Sequence, residues 1–466
     1  MDNSKNNYIV VGLGFGDEGK GTITDYLARE YNAQFVVRYN GGPQAAHNVV
    51  TPDNHWHCFS QFGSGTMIPG VKTYLSHFTA INPNFIMEEY KVLANKGYQD
   101  ALQRLYIDNN CVVITPYHIH MNRFLERVRG EKRHGSCGLG VGQAILDSRN
   151  PQLPTIYVKD FANVTSLRQK LNLLRLMKVD VADQHLAVHH GNDEIIREYE
   201  NLKFAYDSEK LIDMYSCFVE SGVHIINREN SKALLHNKLT IYEGAQGVLL
   251  DENYGFWPYV TPSTTTTQNA QLLIADLSLS NHKTIGVLRA FATRHGAGPF
   301  VSEDDKLSQK IKDVYNKFNL WQGAMRIGWF DTVASCYALK VCPVDELALT
   351  NIDRLSGFKE VKVCIAYKIA RNEISENVVA KFCDYSQQEN AFIIRKLKAD
   401  NFDVSARQQQ GLLLQKCKPV YKNFCGWNDV DKNFEIYLQY IQNVLQVKVS
   451  ILSNGARSDQ KFCYGR

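Results

Sequence analysis

Short apolar runs rich in β-branched residues recur along the chain, separated by longer stretches of mixed polar and apolar residues. Such runs are typical of strands buried on both faces of a parallel sheet, and the longer stretches are typical of crossover helices. The pattern predicts an α/β fold with a central, mostly parallel sheet, flanking helices and small subdomains. The predicted strands are residues 8–11, 35–37, 111–114, 239–242, 284–288 and 361–365.

Residues 167–229 depart from this alternation, because they are rich in leucine, lysine, arginine and glutamate and contain few helix breakers. This composition favours helices, and we predict a helical insertion there. No internal repeat or proline-rich linker interrupts the chain, which contains only 12 prolines. We therefore predict one elaborated domain over residues 1–466.

Composition and charge narrow the possible partners. Of the 466 residues, 44% are hydrophobic and 21% are charged, so the chain can bury a large core. The formal net charge of +4 gives no reason to expect a nucleic acid or a membrane surface as a partner.

Location is predicted from the N-terminus and the cysteines. The apolar run at 8–11 is too short for a secretory signal or a membrane span. The 11 cysteines form no CxxC pair and no cluster with histidine, so we expect reduced thiols and a cytoplasmic protein.

The sequence GFGDEGKGT at residues 14–22 follows the first predicted strand and precedes a helix-like stretch at 23–28. Glycines let backbone N–H groups converge on phosphate oxygens at a helix N-terminus, and Lys20 adds a positive charge. The spacing resembles a Walker A loop, but Gly21 stands where that loop carries the serine or threonine that holds magnesium. The segment predicts a phosphate loop of another kind. A strand-to-helix turn without a ligand is the alternative.

Asp17 is unexpected inside a phosphate loop, because a carboxylate repels phosphate unless it faces a metal ion or a protonated nitrogen. A second small-residue turn, GGPQAAH at residues 41–47, ends in His47. Alone, His47 is more often a structural histidine. Paired with Asp17, it predicts a general base and a general acid acting across one heterocycle.

These two segments resemble the N-terminal signatures of the adenylosuccinate synthetase family, and further segments resemble later motifs of that family in the same order. The resemblance covers nearly the whole chain, and it implies an α/β fold related to the phosphate-loop proteins. The later segments are ITPYH at 114–118, YEGAQGVLLD at 242–251, WPYVTPSTTT at 257–266, ATRHGAGPF at 292–300, GWFD at 328–331, PVY at 419–421, GW at 426–427 and LSNG at 452–455.

The resemblance implies a ligase of purine biosynthesis. It phosphorylates O6 of inosine monophosphate (IMP) from GTP and displaces that phosphate with the amino group of L-aspartate. Asp17 is then the base that removes the N1 proton and a ligand of Mg²⁺, with the backbone carbonyl of Ala46 as a second ligand. His47 donates a hydrogen bond to O6, and Lys20 stabilises the phosphoryl group in transfer. Gln246 completes the implied catalytic set.

The resemblance also implies a homodimer and a wider set of nucleotide-binding residues. Asp353 belongs to an element that reads guanine, because a carboxylate accepts both N1–H and the N2 amino group. Without the resemblance, Asp353 is better interpreted as a helix N-cap before Arg354. The implied nucleotide-binding residues are Gly14, Gly16, Glu18, Gly19, Gly21, Thr22, Gln44, Ser136, Cys137, Thr261, Arg294, Arg326, Asn351, Asp353, Ser453 and Gly455.

The loop that binds aspartate in the family is changed here. Only Arg326 remains of its arginines, and Gly323 and Met325 stand where two others bind carboxylates. Each lost charge-assisted hydrogen bond is worth about 1.5–3 kcal/mol. Without compensation, aspartate binding weakens by roughly two to four powers of ten.

The central nucleotide loop, HGSCGLGVG at residues 134–142, differs as well. Leu139 replaces an arginine and Cys137 replaces a threonine of the family pattern, so the clamp on the 5′-phosphate is weaker. The family completes this loop with an arginine from the second subunit, for which Arg149 is the nearest candidate. Cys137 is better interpreted as a small polar substitute than as a nucleophile.

Three functions remain open at this point. The first is adenylosuccinate synthesis, and the second is the same phosphoryl transfer with another purine nucleotide or amine donor. Related phage enzymes that act on a deoxyguanylate-type nucleotide illustrate the second, but they replace the carboxylate at the position of Asp17. The third is an inactive nucleotide-binding or sensing protein, which the joint presence of Asp17, Lys20, His47 and Gln246 disfavours.

Overall fold

A computed structural model describes residues 7–188, 192–277, 281–311 and 318–465. Within these ranges the strands β1 to β20, in chain order, are Asn7–Gly12, Phe35–Arg38, His47–Val50, Trp56–Phe59, Lys72–Leu75, Ala80–Ile81, Leu105–Asp108, Val112–Val113, His224–Ile226, Thr240–Glu243, His282–Arg289, Phe291–Arg294, Arg326–Asp331, Glu346–Thr350, Glu360–Ala370, Cys383–Gln388, Ala391–Leu397, Lys418–Cys425, Val449–Ser453 and Lys461–Cys463. The α-helices α1 to α14 are Lys20–Glu30, Pro83–Asn95, Pro116–Arg129, Val141–Ser148, Val164–Val188, Asp193–Phe204, Ser208–Glu220, Arg228–Leu235, Gln268–Asp276, Asp305–Lys310, Thr332–Val341, Glu376–Phe382, Val404–Lys416 and Lys432–Leu445.

The central sheet confirms the predicted α/β class. In the described part of the chain it has ten strands in the order β20-β19-β14-β11-β1-β10-β2-β5-β7-β9. Neighbouring strands are parallel throughout, except that β20 runs antiparallel to β19. Strand β1 is buried along its whole length, as its apolar sequence predicts for a strand covered on both faces.

Two predicted strands lie outside this sheet. Residues 112–113 pair with Ala80–Ile81 in a separate two-stranded sheet. Residues 361–365 belong to β15, which pairs in antiparallel fashion with β17 and β18 and in parallel only with β13. An apolar run indicates burial but not the direction of the neighbouring strands. The expectation of a parallel strand is therefore confirmed on the side of β15 that pairs with β13 and wrong on the side that pairs with β18.

The segment predicted to be a helical insertion, residues 167–229, contains most of α5, all of α6 and α7 and the start of α8, but it also contains strand β9, which lies at the edge of the central sheet. Helix α5 packs against α4 through a buried ion pair, in which Lys178 Nζ lies 2.6 Å from Asp147 Oδ2. Both side chains are about 95% buried, and His118 Nε2 lies 3.3 Å from the same carboxylate. The pair joins the helical segment to the helix that follows the central nucleotide loop.

The central sheet and a second, six-stranded sheet, which is formed by β12, β13, β15, β16, β17 and β18, share a core. Val11 of β1 and Val363 of β15 belong to the same buried apolar cluster. None of the helices in the described ranges has the length and apolar composition that a bilayer crossing requires.

Candidate functional site

Six neighbouring strands of the central sheet, β19-β14-β11-β1-β10-β2, end at one edge. Because they are parallel, their carboxyl ends and following loops meet there, which is where α/β proteins bind ligands. A cavity of about 570 Å³ lies at this edge. The predicted site residues that line it are Gly16, Asp17, Gly19, Lys20, Gly21, Thr22, Gln44, Ala46, His47, Ser136, Cys137, Gln246, Thr261, Arg294, Asn351, Asp353, Ser453 and Gly455.

The phosphate loop takes its shape from left-handed residues between β1 and α1. Gly16, Asp17 and Gly19 have φ values of 90°, 62° and 97°. Helix α1 starts at Lys20 without a side-chain cap, so its first-turn N–H groups remain available to an anion in the cavity. Thr22 Oγ1 is buried and has no hydrogen-bond partner among the described residues. Donors without partners at a helix N-terminus fit a phosphate group.

Gly21 differs from the Walker A pattern for a packing reason. A Cβ atom at this position would lie 2.6 Å from the Cβ atom of His47 and 2.9 Å from Ser64 Oγ. Only glycine therefore allows α1 to approach His47 this closely. Gly21 therefore has two effects. It provides no hydroxyl group of the kind that binds magnesium in a Walker A loop, and it allows His47 to lie next to the phosphate loop.

Two predicted loop residues face away from the cavity. Glu18 turns back into the loop, where its Oε1 accepts hydrogen bonds from the N–H groups of Gly14 at 3.0 Å and Gly16 at 2.8 Å. Its Oε2 accepts from Lys20 Nζ at 2.6 Å. Gly14 and Glu18 lie outside the cavity lining, and they stabilise the loop and orient Lys20.

Gln44 and Gln246 are the side chains best placed to bind a ligand. Both side chains line the cavity, and the amide nitrogen and oxygen of each are buried without a partner in the described ranges. Buried polar groups in native proteins are nearly always hydrogen-bonded, so four such atoms at one cavity are well placed to bind a polar ligand. Amides that offer donors and acceptors together suit a heterocycle that carries both.

His47 is held by a residue to which the sequence analysis assigned no role. Its Nδ1 lies 2.6 Å from Oε1 of Glu243, which is completely buried at the carboxyl end of β10. Glu243 also accepts from the backbone N–H of Ser64 at 3.0 Å and from the Ser64 hydroxyl. Although burial opposes it, the charge and hydrogen bond of His47 lower the pKa of Glu243 to about 2.

The ionised Glu243 fixes the orientation of the imidazole ring. It accepts from Nδ1–H, so Nε2 is the ring nitrogen left for a ligand. Burial lowers the pKa of His47, whereas the Glu243 charge acts in the opposite direction. Glu243 therefore supplies the countercharge that the ring needs when it carries a proton. The acidic residue directly after the predicted strand 239–242 was the sequence signal for this role.

Asp17 lies between two basic residues, Arg289 and His295, for which no role was predicted from the sequence. Arg289 donates a hydrogen bond from Nε to the backbone oxygen of Asp17, and His295 Nε2 lies 3.4 Å from Asp17 Oδ2. The carboxylate side chain is 20% exposed. Its carboxylate and the His47 ring line the same cavity, as the proposed acid–base pair requires.

Asp353 lines the same cavity and lies in a 3-10 turn formed by Ile352–Leu355. Asn351, with φ of 59°, is the residue that precedes this turn at its N-cap position, so Asp353 is not the N-cap. Burial raises the pKa of Asp353, and the positive charges of Arg354, Lys461 and Arg289 act against that increase.

The central nucleotide loop reaches the cavity from helix α3. Glu126 of α3 accepts hydrogen bonds from the N–H groups of Gly135 at 2.9 Å and Ser136 at 3.3 Å. Burial raises the pKa of the Cys137 thiol, which disfavours a thiolate nucleophile. Arg149 is paired with Glu252 of its own chain.

The two remaining predicted arginines, Arg294 and Arg326, both have hydrogen-bond partners within the chain. Arg294 lines the cavity, but its guanidinium donates to the carbonyls of Ala297, Pro299 and Tyr259 at 3.1, 2.8 and 3.4 Å. Burial lowers the pKa of Arg294 to about 9.

Arg326 lies outside the lining. It is paired with both oxygens of Glu303 and donates to the carbonyls of Gly296 and Gly298 at 3.2 and 3.0 Å. Arg326 is therefore a neighbour of the predicted site residue Arg294, with which it pairs between β12 and β13, but it does not line the cavity.

The altered co-substrate loop closes onto the central nucleotide loop. The ring of Trp321 lies 4.8 Å from the guanidinium carbon of Arg127 and 5.5 Å from that of Arg123. A Cβ atom at Gly138 would lie 2.6 Å from this ring. Asn319 and Gln322, on either side of Trp321, line the cavity. Neutral amides thus occupy a region for which the resemblance implied arginines.

The phosphate loop, the parallel sheet and the cavity at its carboxyl edge place the chain in the class of α/β enzymes that act on nucleotides. More narrowly, the chain belongs to the adenylosuccinate synthetase family, because the profile described as "Adenylosuccinate synthetase" matches residues 9–462. It is therefore a ligase of purine biosynthesis. The family is GTP-dependent, uses Mg²⁺ and binds small-molecule substrates.

Individual relatives agree with this assignment. An adenylosuccinate synthetase from Clostridium botulinum is 31% identical over 469 residues, which cover 97% of this chain and 98% of the relative. The structure of the fully ligated adenylosuccinate synthetase from Plasmodium falciparum matches with a TM-score of 0.76 at 21% identity and covers 98% of this chain and 100% of that one. The structure of succinoaminodeoxyadenylate synthetase from cyanophage S-2L, bound to dGMP and to dATP as an energy donor, matches with a TM-score of 0.56 at 16% identity and covers 98% and 95%. At these identities both structures support the fold.

Proposed function

We propose that this protein makes adenylosuccinate from IMP, GTP and L-aspartate. The observation that carries the proposal is the pair of unpartnered glutamine amides, Gln44 and Gln246, in the cavity that also contains Asp17, Lys20 and His47. A purine nucleotide carries both hydrogen-bond donors and acceptors, which such amides can bind.

Each catalytic residue has a proposed task. Asp17 takes the N1 proton of IMP, so that negative charge moves to O6, the atom that attacks the phosphoryl group. His47 donates from Nε2 to O6 while this charge develops, and Glu243 stabilises the charged ring. Lys20 and the first-turn N–H groups of α1 bind the phosphoryl oxygens during transfer.

Mg²⁺ fits the oxygen donors at this site. The described residues contain no cluster of three or more His, Cys, Asp or Glu side chains that could hold a metal, so a cage built from such side chains is not present in them. Mg²⁺ commonly takes one or two carboxylates together with phosphate oxygens and water. We assign Asp17 and the carbonyl of Ala46 as its protein ligands. When bound, the ion neutralises phosphate charge.

GTP is the proposed phosphoryl donor, with its base at Asp353. We expect Asp353→Asn to lower kcat/KM for GTP by about 10²-fold or more, because an amide offers one acceptor where the carboxylate offers two. Xanthosine triphosphate presents an oxygen in place of the guanine amino group, so the variant should prefer it to GTP. Initial rates with the two triphosphates measure this preference. For the unchanged protein, the rate with inosine triphosphate, which lacks the amino group, should lie between the rates with GTP and with xanthosine triphosphate. A variant that uses GTP within about threefold of the unchanged protein would contradict the assignment.

A second candidate function keeps the phosphoryl transfer but uses another amine donor or purine. The loop at residues 319–323 supports it, since Asn319 and Gln322 line the cavity while Arg326 is paired with Glu303. Neutral amides bind the two carboxylates of aspartate less strongly than arginines do.

A substrate panel separates these functions. The purified protein is incubated with Mg²⁺, GTP or ATP and several purine monophosphates, with and without aspartate, and phosphate release and product mass are measured. Adenylosuccinate formed from IMP supports the first proposal. Phosphate release without an aspartate adduct supports the second, and the absence of turnover with every combination would indicate an inactive binding protein.

A cytoplasmic homodimer is the proposed state of the protein. All 11 cysteines are free thiols, as expected in a reducing compartment. Large apolar side chains are exposed on α4 and α5, including Leu146 at 51%, Leu173 at 50% and Leu176 at 62%. Where exposed apolar side chains form one patch, they mark an interface between subunits. Light scattering coupled to size-exclusion chromatography tests the dimer.

A further inference from the structure

Lys461 is a buried lysine near the end of the chain, on β20. Its side chain is directed at the loop that follows β19, and only 4% of the residue is exposed. Nζ donates to the carbonyl oxygens of Gly455 at 3.1 Å, Ala456 at 2.8 Å and Arg457 at 2.6 Å. Three hydrogen bonds use every donor of the ammonium group.

These carbonyls belong to a sharp turn at the edge of the cavity. Gly455 has φ of 147°, and a Cβ atom there would lie 2.4 Å from Gln460 Oε1. Gly455 and Ala456 line the cavity together with Asp353. Three carbonyls that converge on one point repel each other unless a cation or a donor lies between them. Lys461 therefore makes this conformation of the loop favourable.

Burial of an ammonium group is costly, and an apolar side chain at this position would avoid the cost. The carbonyls and nearby carboxylates compensate for it only in part, and burial lowers the pKa of Lys461 to about 8. The charged groups around Lys461 are Asp25, Asp353 and Asp459, together with Arg29, which pairs with Asp25, and Arg457, which pairs with Asp459.

We propose that Lys461 is a positioning residue for the donor nucleotide, which holds residues 455–457 in the conformation that completes the purine end of the GTP site. The inference rests on the proposed function, because it takes Asp353 as the residue that reads guanine. The lysine acts in two ways. Its hydrogen bonds shape the loop, and its positive charge favours the ionised form of Asp353, which burial disfavours.

The test is a comparison of Lys461→Met with Lys448→Met. Methionine keeps the length of the side chain and loses its charge and donors. Lys448 is an exposed lysine that donates to one carbonyl, that of Gly465, outside the cavity, and so serves as the matched control. We expect Lys461→Met to raise both the Kd of Mg-GTP, measured by calorimetry, and the KM for GTP by about tenfold to a hundredfold. The KM values for IMP and aspartate and the kcat should stay within about threefold. Lys448→Met should change none of them.

A pH series tests the same inference without a substitution. The charged form of Lys461 predominates below its pKa of about 8 and is lost as the pH rises through that value. The Kd of Mg-GTP for the unchanged protein should therefore increase from about pH 7 to about pH 8.5. Lys461→Met should lack this increase, and Lys461→Arg, which keeps a charge and donors, should bind more tightly than Lys461→Met.

Two results would overturn the inference. One is a Lys461→Met protein with normal thermal unfolding and an unchanged Kd for Mg-GTP. The other is a flat pH series for the unchanged protein, which decides the matter even if the variant does not fold. Binding of Mg-GTP without turnover of IMP and aspartate would instead contradict the proposed function and leave the Lys461 comparison valid.

Discussion

Asp17→Asn is expected to bind GTP and IMP and to lose turnover by about 10³- to 10⁴-fold. A general base contributes about 10²- to 10⁴-fold, and the same carboxylate is also the proposed magnesium ligand, which places the loss in the upper part of that range. Asparagine suits the test because Asp17 has φ of 62°, and asparagine adopts this left-handed conformation more readily than alanine does. Phosphate release measures turnover, and calorimetry measures binding.

The matched control for Asp17→Asn is Asp213→Asn. Asp213 is an exposed aspartate on α7 and does not line the cavity. The same chemical change there should leave kcat and binding unaltered. If Asp17→Asn kept kcat within about tenfold of the unchanged protein, Asp17 would not be the base.

His47→Ala and Glu243→Gln should each lower kcat by about 10²-fold or more, and the double variant should lose little beyond the worse single variant. The reason is that Glu243 acts through His47, at 2.6 Å from its Nδ1. Residues that work as one unit show non-additive losses. The measurement is a double-mutant cycle on kcat, together with thermal unfolding of each variant.

Glu89→Gln controls for the damage caused by altering a buried glutamate. Glu89 accepts hydrogen bonds from the N–H groups of Ser60 and Gln61 and lies 3.5 Å from the ring of His57, yet it does not line the cavity. Its substitution should lower the unfolding temperature with little change in kcat. If the decrease in kcat of the His47→Ala, Glu243→Gln double variant equalled the product of the two single decreases, His47 and Glu243 would act independently.

The candidate site combines a preserved centre with an altered periphery. Asp17, Lys20, His47 and Gln246 line one cavity, as a phosphorylating enzyme requires. The departures lie at residues 134–142 and 319–326, where the second substrate and the 5′-phosphate are expected. In the substrate panel, the comparison with and without aspartate therefore tests most directly whether aspartate is the amine donor.

Local sequence was enough to predict the phosphate loop. Gly16, Asp17 and Gly19 take left-handed conformations, and the neighbouring Lys20 starts a helix, so the shape of the loop depends on residues only a few positions apart. The central parallel sheet followed from apolar runs such as that of β1. Strands such as β14 were missed, since a short run without strong β-branched character resembles a buried helix segment.

The sequence by itself determined the fold class, the phosphate loop and the membership of the family, because these depend on local chemistry and on motif order. Only the tertiary structure decided which distant side chains meet. Glu243 reaches His47 across 196 positions, Arg326 pairs with Glu303 outside the cavity lining, and Lys461 supports the loop beside Asp353. The physical reason is that the order of strands in the sheet brings their carboxyl ends together, and neither that order nor the partner of a charged side chain is written in local periodicity.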